Sequence, residues 1–151
     1  WPGSRAKIAA LARWAEANAS AKGKGDVFRA ETRYWLNVGD PAMAIDAARR
    51  MEKAYPEYAV RACRFKALAH ATAGEIERAR DEIAKGRREF DLPDWERREL
   101  LYLEAWLWLQ DGEIDAAVKN LRTIVGEQPN GELAEKARRA LKAVDGELKG
   151  K

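Results

Sequence analysis

Apolar residues recur at intervals of three and four positions along most of the chain, which is the pattern of helices that bury one face. Glycines and prolines interrupt this pattern regularly, and both residues typically mark the ends of helices. The interruptions separate eight predicted helices, at about residues 4–21, 26–38, 41–54, 57–73, 75–90, 94–110, 113–126 and 131–145. The stretch AKGKGD at 21–26 is interpreted as a flexible loop between the first two. Because the connections are short and no segment alternates with period two, we expect an all-α fold in which neighbouring helices pack antiparallel.

The most apolar of these segments, LLYLEAWLWLQ at 100–110, raises the question of a membrane span. A membrane helix needs roughly 20 consecutive apolar residues. This run is shorter and contains Glu104. We therefore expect no membrane segment in the chain, and a helix that is buried on most of its sides.

Glycines at the predicted turns recur at a nearly constant interval. They are Gly39, Gly74, Gly112 and Gly146, separated by 35, 38 and 34 residues. Alanines five positions after the first three are Ala44, Ala79 and Ala117. Prolines close the same intervals at Pro56, Pro93 and Pro129. Self-similarity at this period indicates stacked helical hairpins.

This organisation resembles the tetratricopeptide repeat, a helix-turn-helix unit of about 34 residues. Its first helix carries a bulky residue eleven positions before the turn glycine, a small residue seven before and an aromatic residue four before. Those positions hold Phe28, Cys63 and Leu101, then Thr32, Ala67 and Ala105, then Trp35, His70 and Trp108. The leucine that the family places eight positions before the glycine is replaced by a charged residue each time, at Glu31, Lys66 and Glu104.

The resemblance implies a single domain over residues 1–151, about eight helices stacked as a right-handed α-solenoid. Its parts would be a partial unit at 4–22, units at about 26–56, 57–93 and 94–129, and a terminal helix at 131–145. Ala10, Trp14 and Ala17 fit the family's second-helix pattern in the partial unit. The chain is then either a whole array with capping helices or a fragment of a longer one.

The resemblance also implies a concave groove that binds a partner protein or peptide. The expected groove residues are Arg29, Arg33, Asn37, Arg61, Arg64, Tyr102, Trp106 and Gln110. Guanidinium groups suit carboxylates or phosphates, so we expect an acidic segment to bind the arginines and to be anchored on the aromatic residues. Two alternatives stay open. In the first, the arginines bind no ligand and are solvated or paired with Glu31, Glu99 and Glu104. In the second, Trp106 packs against helix 131–145 and not against a ligand.

Composition limits the chemistry. The 28 basic residues nearly balance the 25 acidic ones, and a net charge of +3 is too small to indicate nucleic-acid binding. Cys63 and His70 are each the only residue of their type, so the sequence offers neither an intrachain disulfide nor a zinc-binding set. No phosphate-binding glycine loop is present. We expect no enzymatic activity, no catalytic residue, no metal site and no cofactor.

The sequence therefore predicts a non-enzymatic protein–protein interaction scaffold. One such role is the soluble part of a bacterial envelope, secretion or polysaccharide-export assembly. The alternatives are a helical-repeat RNA-binding module and a regulatory repeat domain of a larger enzyme. Self-association through the terminal helices is compatible with the pattern. The cysteine content favours the cytoplasm, with the periplasm or a soluble domain of a membrane-anchored protein as alternatives.

Overall fold

A computed structural model describes residues 2–150 of the chain. Within that range the chain is all-α, with eight α-helices, one short 3-10 helix and no strand. The helices are α1 (Pro2–Asn18), α2 (Ala21–Val38), α3 (Pro41–Ala54), α4 (Ala59–Thr72), α5 (Ile76–Glu89), α6 (Asp94–Gln110), α7 (Ile114–Glu127) and α8 (Glu132–Lys149), and the 3-10 helix is Pro56–Tyr58. The all-α prediction is confirmed.

The contacts divide the chain into two compact units, the first extending to Gly86 and the second beginning at Arg87, in the last turn of α5. In the first unit α1 packs against α2, α2 against α3, and α3 against α4. In the second unit α6 packs against α7, and α7 against α8. Packing between consecutive helices is what short connections impose on a chain of amphipathic helices.

Three of the four turn glycines have the conformation that their spacing predicts. Gly39, Gly74 and Gly112 have φ angles of 75°, 78° and 79°, in the left-handed region that ends helices and that side chains with a Cβ rarely adopt. The prediction for Gly146 is wrong, because α8 continues through it to Lys149. The residues that follow Gly146 include the good helix formers Glu147 and Lys149, so nothing local ends the helix there.

The interpretation of residues 21–26 as a loop is also wrong, because α2 begins at Ala21. The Ser20 side chain caps the helix by accepting a hydrogen bond of 3.2 Å from the backbone N–H of Gly23. Gly25 is buried, and a Cβ atom built on it would lie only 2.9 Å from Cβ of Tyr55. The glycines therefore serve close packing here and not flexibility.

Small residues at the predicted packing positions are buried. Ala44, Ala79 and Ala117 have no exposed surface, and neither do Thr32, Ala67 and Ala105. The apolar core of the first unit includes Phe28, Trp35, Ala48 and Met51, and that of the second includes Leu101, Leu121 and Ile124. In α1 the buried residues are Ala12 and Ala15, while Ala10 and Ala17 are exposed and Trp14 is 56% exposed. The exposed surface of α1 thus includes two large apolar side chains, Leu11 and Trp14.

Candidate binding cleft

Four of the predicted groove residues line one cleft in the first unit. Its volume is about 380 Å³. Arg29 and Arg33 reach it from α2, and Arg61 and Arg64 reach it from α4. Phe65 and Leu68 of α4 add apolar surface. The cleft can therefore present guanidinium groups and an apolar surface to the same ligand.

Helical spacing accounts for the grouping. Arg29 and Arg33 are four residues apart, so they follow one another on one face of α2. The adjoining face of α2 is buried through Phe28, Thr32 and Trp35. Because α2 and α4 both pack against α3 and also contact each other, their arginine-bearing faces border the same depression.

Tyr58, in the 3-10 helix before α4, positions two of the arginines. The guanidinium carbon of Arg61 lies 4.9 Å from the centroid of the Tyr58 ring, and that of Arg29 lies 5.6 Å from it. Such cation–π contacts contribute about 0.5–1 kcal/mol each at exposed sites. The ring is itself held edge-on by Tyr55, with centroids 4.9 Å apart. The Tyr58 ring thus contacts the guanidinium groups of both Arg29 and Arg61 and restrains them.

Asp26 contacts both Arg29 and Tyr58. It accepts hydrogen bonds of 2.8 Å from Lys22 and 2.7 Å from the Tyr58 hydroxyl, and it lies 3.5 Å from Arg29. The hydrogen bonds from Lys22 and then from Tyr58 hold the pKa of the Asp26 carboxyl below its ordinary value. Arg33 is exposed and has no hydrogen bond or ion pair to any residue in the range 2–150. The cleft therefore retains a positive charge that is not neutralised within it.

Two of the carboxylates expected to neutralise the arginines are engaged elsewhere. Glu31 is only 2% exposed; it accepts hydrogen bonds from Arg50 at 3.0 Å and from the Trp35 indole at 3.3 Å. Glu104 accepts hydrogen bonds from Arg87 at 2.8 Å and from Asn120 at 2.7 Å. The ion pairs that the sequence suggested between these two carboxylates and the cleft arginines are replaced by these contacts.

The other predicted groove residues lie outside the lining of this cleft. Asn37 is exposed on α2, one turn beyond Arg33. In the second unit, Tyr102 packs against the apolar core, while Trp106 is 42% exposed and Gln110 is exposed. Trp106 is therefore not a core residue, and its indole is open to contact.

Phe65 and Tyr58 belong to the site but were not predicted from the sequence. Phe65 lies four residues after Arg61, so its placement on the same face of α4 follows from helical spacing. Tyr58 gave no such signal, because it precedes α4 and meets Arg29 through a contact distant in the sequence.

The two residues with candidate chemistry lie in packing environments. Cys63 is 1% exposed, and burial raises the pKa of its thiol to about 11, so the thiol is protonated and unreactive at neutral pH. Nδ1 of His70 lies 2.6 Å from Oε2 of Glu75 at the α4–α5 turn. Within residues 2–150, no cluster of three or more histidine, cysteine or acidic side chains has the proximity to hold a metal ion.

None of the helices described here is long and apolar enough to cross a membrane. Comparison with known proteins gives no match, whether to protein-family models, to curated proteins or to solved structures.

Proposed function

We propose that this chain is a non-enzymatic interaction module, and that the cleft lined by Arg29, Arg33, Arg61 and Arg64 binds an acidic segment of a partner protein. The observation that carries the proposal is that four arginines line one cleft, together with Phe65 and Leu68. Guanidinium forks bind carboxylates through paired hydrogen bonds. The adjoining apolar surface would accept an aliphatic or aromatic side chain of the same segment.

The arrangement of the arginines supports binding more than internal stabilisation. Exposed ion pairs contribute little to folding, with a median of about 0–1 kcal/mol. Arg33 has no such pair within the described range, and the Tyr58 ring restrains Arg29 and Arg61 before any ligand arrives. Positioning a charged side chain in advance lowers the entropy that is lost on binding.

We further propose that the chain is a tetratricopeptide-like array of helical hairpins, arranged as an α-solenoid. Support comes from the three left-handed turn glycines at regular spacing and from the alanine buried five residues after each one. Arrays of this kind bind partners through surfaces formed by several units. A role as the soluble part of an envelope, secretion or polysaccharide-export assembly is the context in which we place it.

The proposal is tested by titrating labelled protein with a short peptide of alternating glutamate and leucine, while recording the NMR signals of the arginine side-chain N–H groups. The expected result is that the shifts concentrate on Arg29, Arg33, Arg61 and Arg64. A peptide with glutamine in place of glutamate should cause much smaller shifts, because the charge-assisted hydrogen bonds are lost.

A pair of matched variants provides the control. Arg33→Glu/Arg61→Glu reverses two charges in the cleft, and Arg13→Glu/Arg49→Glu reverses two exposed arginines outside its lining. The cleft variant should bind the peptide at least about tenfold more weakly, since hydrogen bonds to charged groups contribute about 1.5–3 kcal/mol each. Equal weakening in both variants would mean that net charge, and not the cleft, governs binding.

The same protein samples distinguish the other functions. Binding of a single-stranded RNA with a steep dependence on salt, and no response to the peptide, would favour the RNA-binding alternative. A regulatory domain of a larger enzyme would be a special case of the present proposal, with the acidic segment supplied by the enzyme.

A further inference from the structure

The charged residues eight positions before the turn glycines lie between helices, where Glu31 and Lys66 are buried and Glu104 is partly buried. The clearest case is Lys66 in α4, which is 3% exposed. Its ammonium group lies 3.1 Å from Oε1 of Glu52 in α3 and 3.3 Å from Oε2 of Glu82 in α5. Burial lowers the pKa of Lys66, but the carboxylates of Glu82 and Glu52 outweigh it and hold that pKa above its ordinary value. Lys66 is thus charged and held between two acidic neighbours.

Glu104 occupies the corresponding position in α6. Its side chain is 15% exposed. It accepts hydrogen bonds from Arg87 in the last turn of α5 at 2.8 Å, and from Asn120 in α7 at 2.7 Å. Glu104 is therefore held between a basic and an amide neighbour.

The partners also occupy corresponding positions. Glu52 and Arg87 each lie thirteen residues after a turn glycine, at Gly39 and Gly74 respectively. Glu82 and Asn120 each lie eight residues after one, at Gly74 and Gly112. The same three positions therefore form a triad twice. The charges are acidic–basic–acidic around Lys66 (the lysine triad, Glu52, Lys66 and Glu82) and basic–acidic–neutral around Glu104 (the glutamate triad, Arg87, Glu104 and Asn120).

The opposite signs have a consequence for helix pairing. Helices α4 and α6 occupy corresponding places in the repeat pattern. Their buried residues differ in size, since Ala62, Cys63 and Ala69 of α4 correspond to Leu100, Leu101 and Leu107 of α6. The charge at the shared position adds a second difference, which is one of sign. If α6 packed against α3 in place of α4, Glu104 would face Glu52. Like charges brought together away from water are strongly unfavourable, and an unpaired buried charge is destabilising. An apolar residue at this position would carry no such penalty.

We propose that the polarity of these two triads is a pairing code, which distinguishes α4 from α6 and disfavours their exchange within or between molecules. In some proteins, buried polar groups contribute specificity where an apolar substitute would contribute only stability. The inference concerns how the chain assembles, and it is independent of what the arginine cleft binds.

The test uses two variants. The same-sign variant, Glu52→Arg/Lys66→Glu/Glu82→Asn, copies the glutamate triad into α3, α4 and α5, so both triads have one polarity. The exchanged variant adds Arg87→Glu/Glu104→Lys/Asn120→Glu, which places the lysine triad around α6 and retains opposite polarities. The exchanged variant has the amino-acid composition of the wild type, and it contains every substitution of the same-sign variant.

Each protein is unfolded in denaturant, refolded by dilution over a range of concentrations, and analysed by size-exclusion chromatography with light scattering. The proposal expects the exchanged variant to recover the wild-type species in wild-type yield. The same-sign variant should yield a larger share of exchanged or larger species, and that share should rise with protein concentration.

Two outcomes would overturn the pairing code. In the first, the same-sign variant recovers the wild-type species as completely as the wild type does, so polarity has no role in pairing. In the second, the exchanged variant loses as much yield as the same-sign variant. Recovery of the fold would then depend on how well each triad fits its own site, and not on the opposite polarities of the two triads.

Discussion

The guanidinium group of Arg61 lies over the ring of Tyr58, with its central carbon 4.9 Å from the ring centroid. The guanidinium group of Arg29 also contacts this ring, and the Tyr58 hydroxyl donates a 2.7 Å hydrogen bond to Asp26. Tyr58 therefore contacts an arginine from each of the two helices that line the cleft, and it also binds Asp26, whose negative charge partly balances theirs.

Separate variants of Tyr58 should divide these two roles. Tyr58→Phe removes the hydrogen bond to Asp26 and keeps the ring, so we expect a small loss in the free energy of unfolding and little change in peptide binding. Tyr58→Ala also removes the surface on which both arginines rest, and should weaken binding further. Chemical denaturation and peptide titration of both variants check this. Equal binding by Tyr58→Ala and the wild type would show that the ring does not position the arginines.

Two glycine-to-alanine changes should have opposite effects. Gly25→Ala places a Cβ atom 2.9 Å from Cβ of Tyr55, and such overpacking costs about 1–3 kcal/mol. Gly126 lies in α7, and beyond its own stretch of helix no atom of residues 2–150 lies within 4 Å of a Cβ built on it. Gly126→Ala should therefore be neutral or stabilising, by up to about 1 kcal/mol. Thermal unfolding of the two variants measures the difference, and a stabilising Gly25→Ala would contradict the close approach of α2 to Tyr55.

The stability of the fold should decrease at acidic pH. Hydrogen bonds from Lys22 and Tyr58 lower the pKa of Asp26 below its ordinary 3.8, and the contact with His70 lowers that of Glu75 below 4.5. A carboxyl with a lowered folded-state pKa stabilises the fold above its unfolded-state pKa, and this contribution is lost as the pH falls through the folded-state value. Urea unfolding between about pH 3 and pH 6 should show the decrease.

The variants Asp26→Asn and Glu75→Gln supply the comparison for the pH series. Each removes one titrating carboxyl, so each should flatten the decrease in stability below about pH 5. If the free energy of unfolding falls with pH as steeply in both variants as in the wild type, other carboxylates cause the acid sensitivity.

The thiol of Cys63 should be inert in the folded protein. It is 1% exposed, and its pKa is raised by burial to about 11, so thiolate and access are both lacking at pH 8. A thiol reagent such as iodoacetamide should modify Cys63 in the native protein only as fast as local unfolding exposes the thiol. In denaturant the same reagent should modify Cys63 readily. Mass spectrometry over time distinguishes the two rates. Rapid modification of the native protein would show that the face of α4 that carries Cys63 is accessible to solvent and not buried.

Much of the cleft followed from local pattern. Arg29 and Arg33 share a face of α2 because the α-helix brings residues four apart together, and the same rule places Arg61 beside Phe65 on α4. The turn glycines were predictable for the same kind of reason, since Gly39, Gly74 and Gly112 each end a periodic apolar segment. Gly146 resembled them in sequence, but the helix formers that follow it, Glu147 and Lys149, continue α8.

By itself, the sequence determined the helices, most of their ends, and the faces on which the arginines lie, because these depend on interactions within a few residues. The tertiary structure decided which helix faces meet. It placed Gly25 against Tyr55, set Tyr58 between Arg29 and Arg61, and buried Glu31 with Arg50. It also gave Lys66 its two carboxylates from separate helices. The physical reason is that a buried charge is stable only when a distant part of the chain supplies its partner, and no local pattern specifies which part that is.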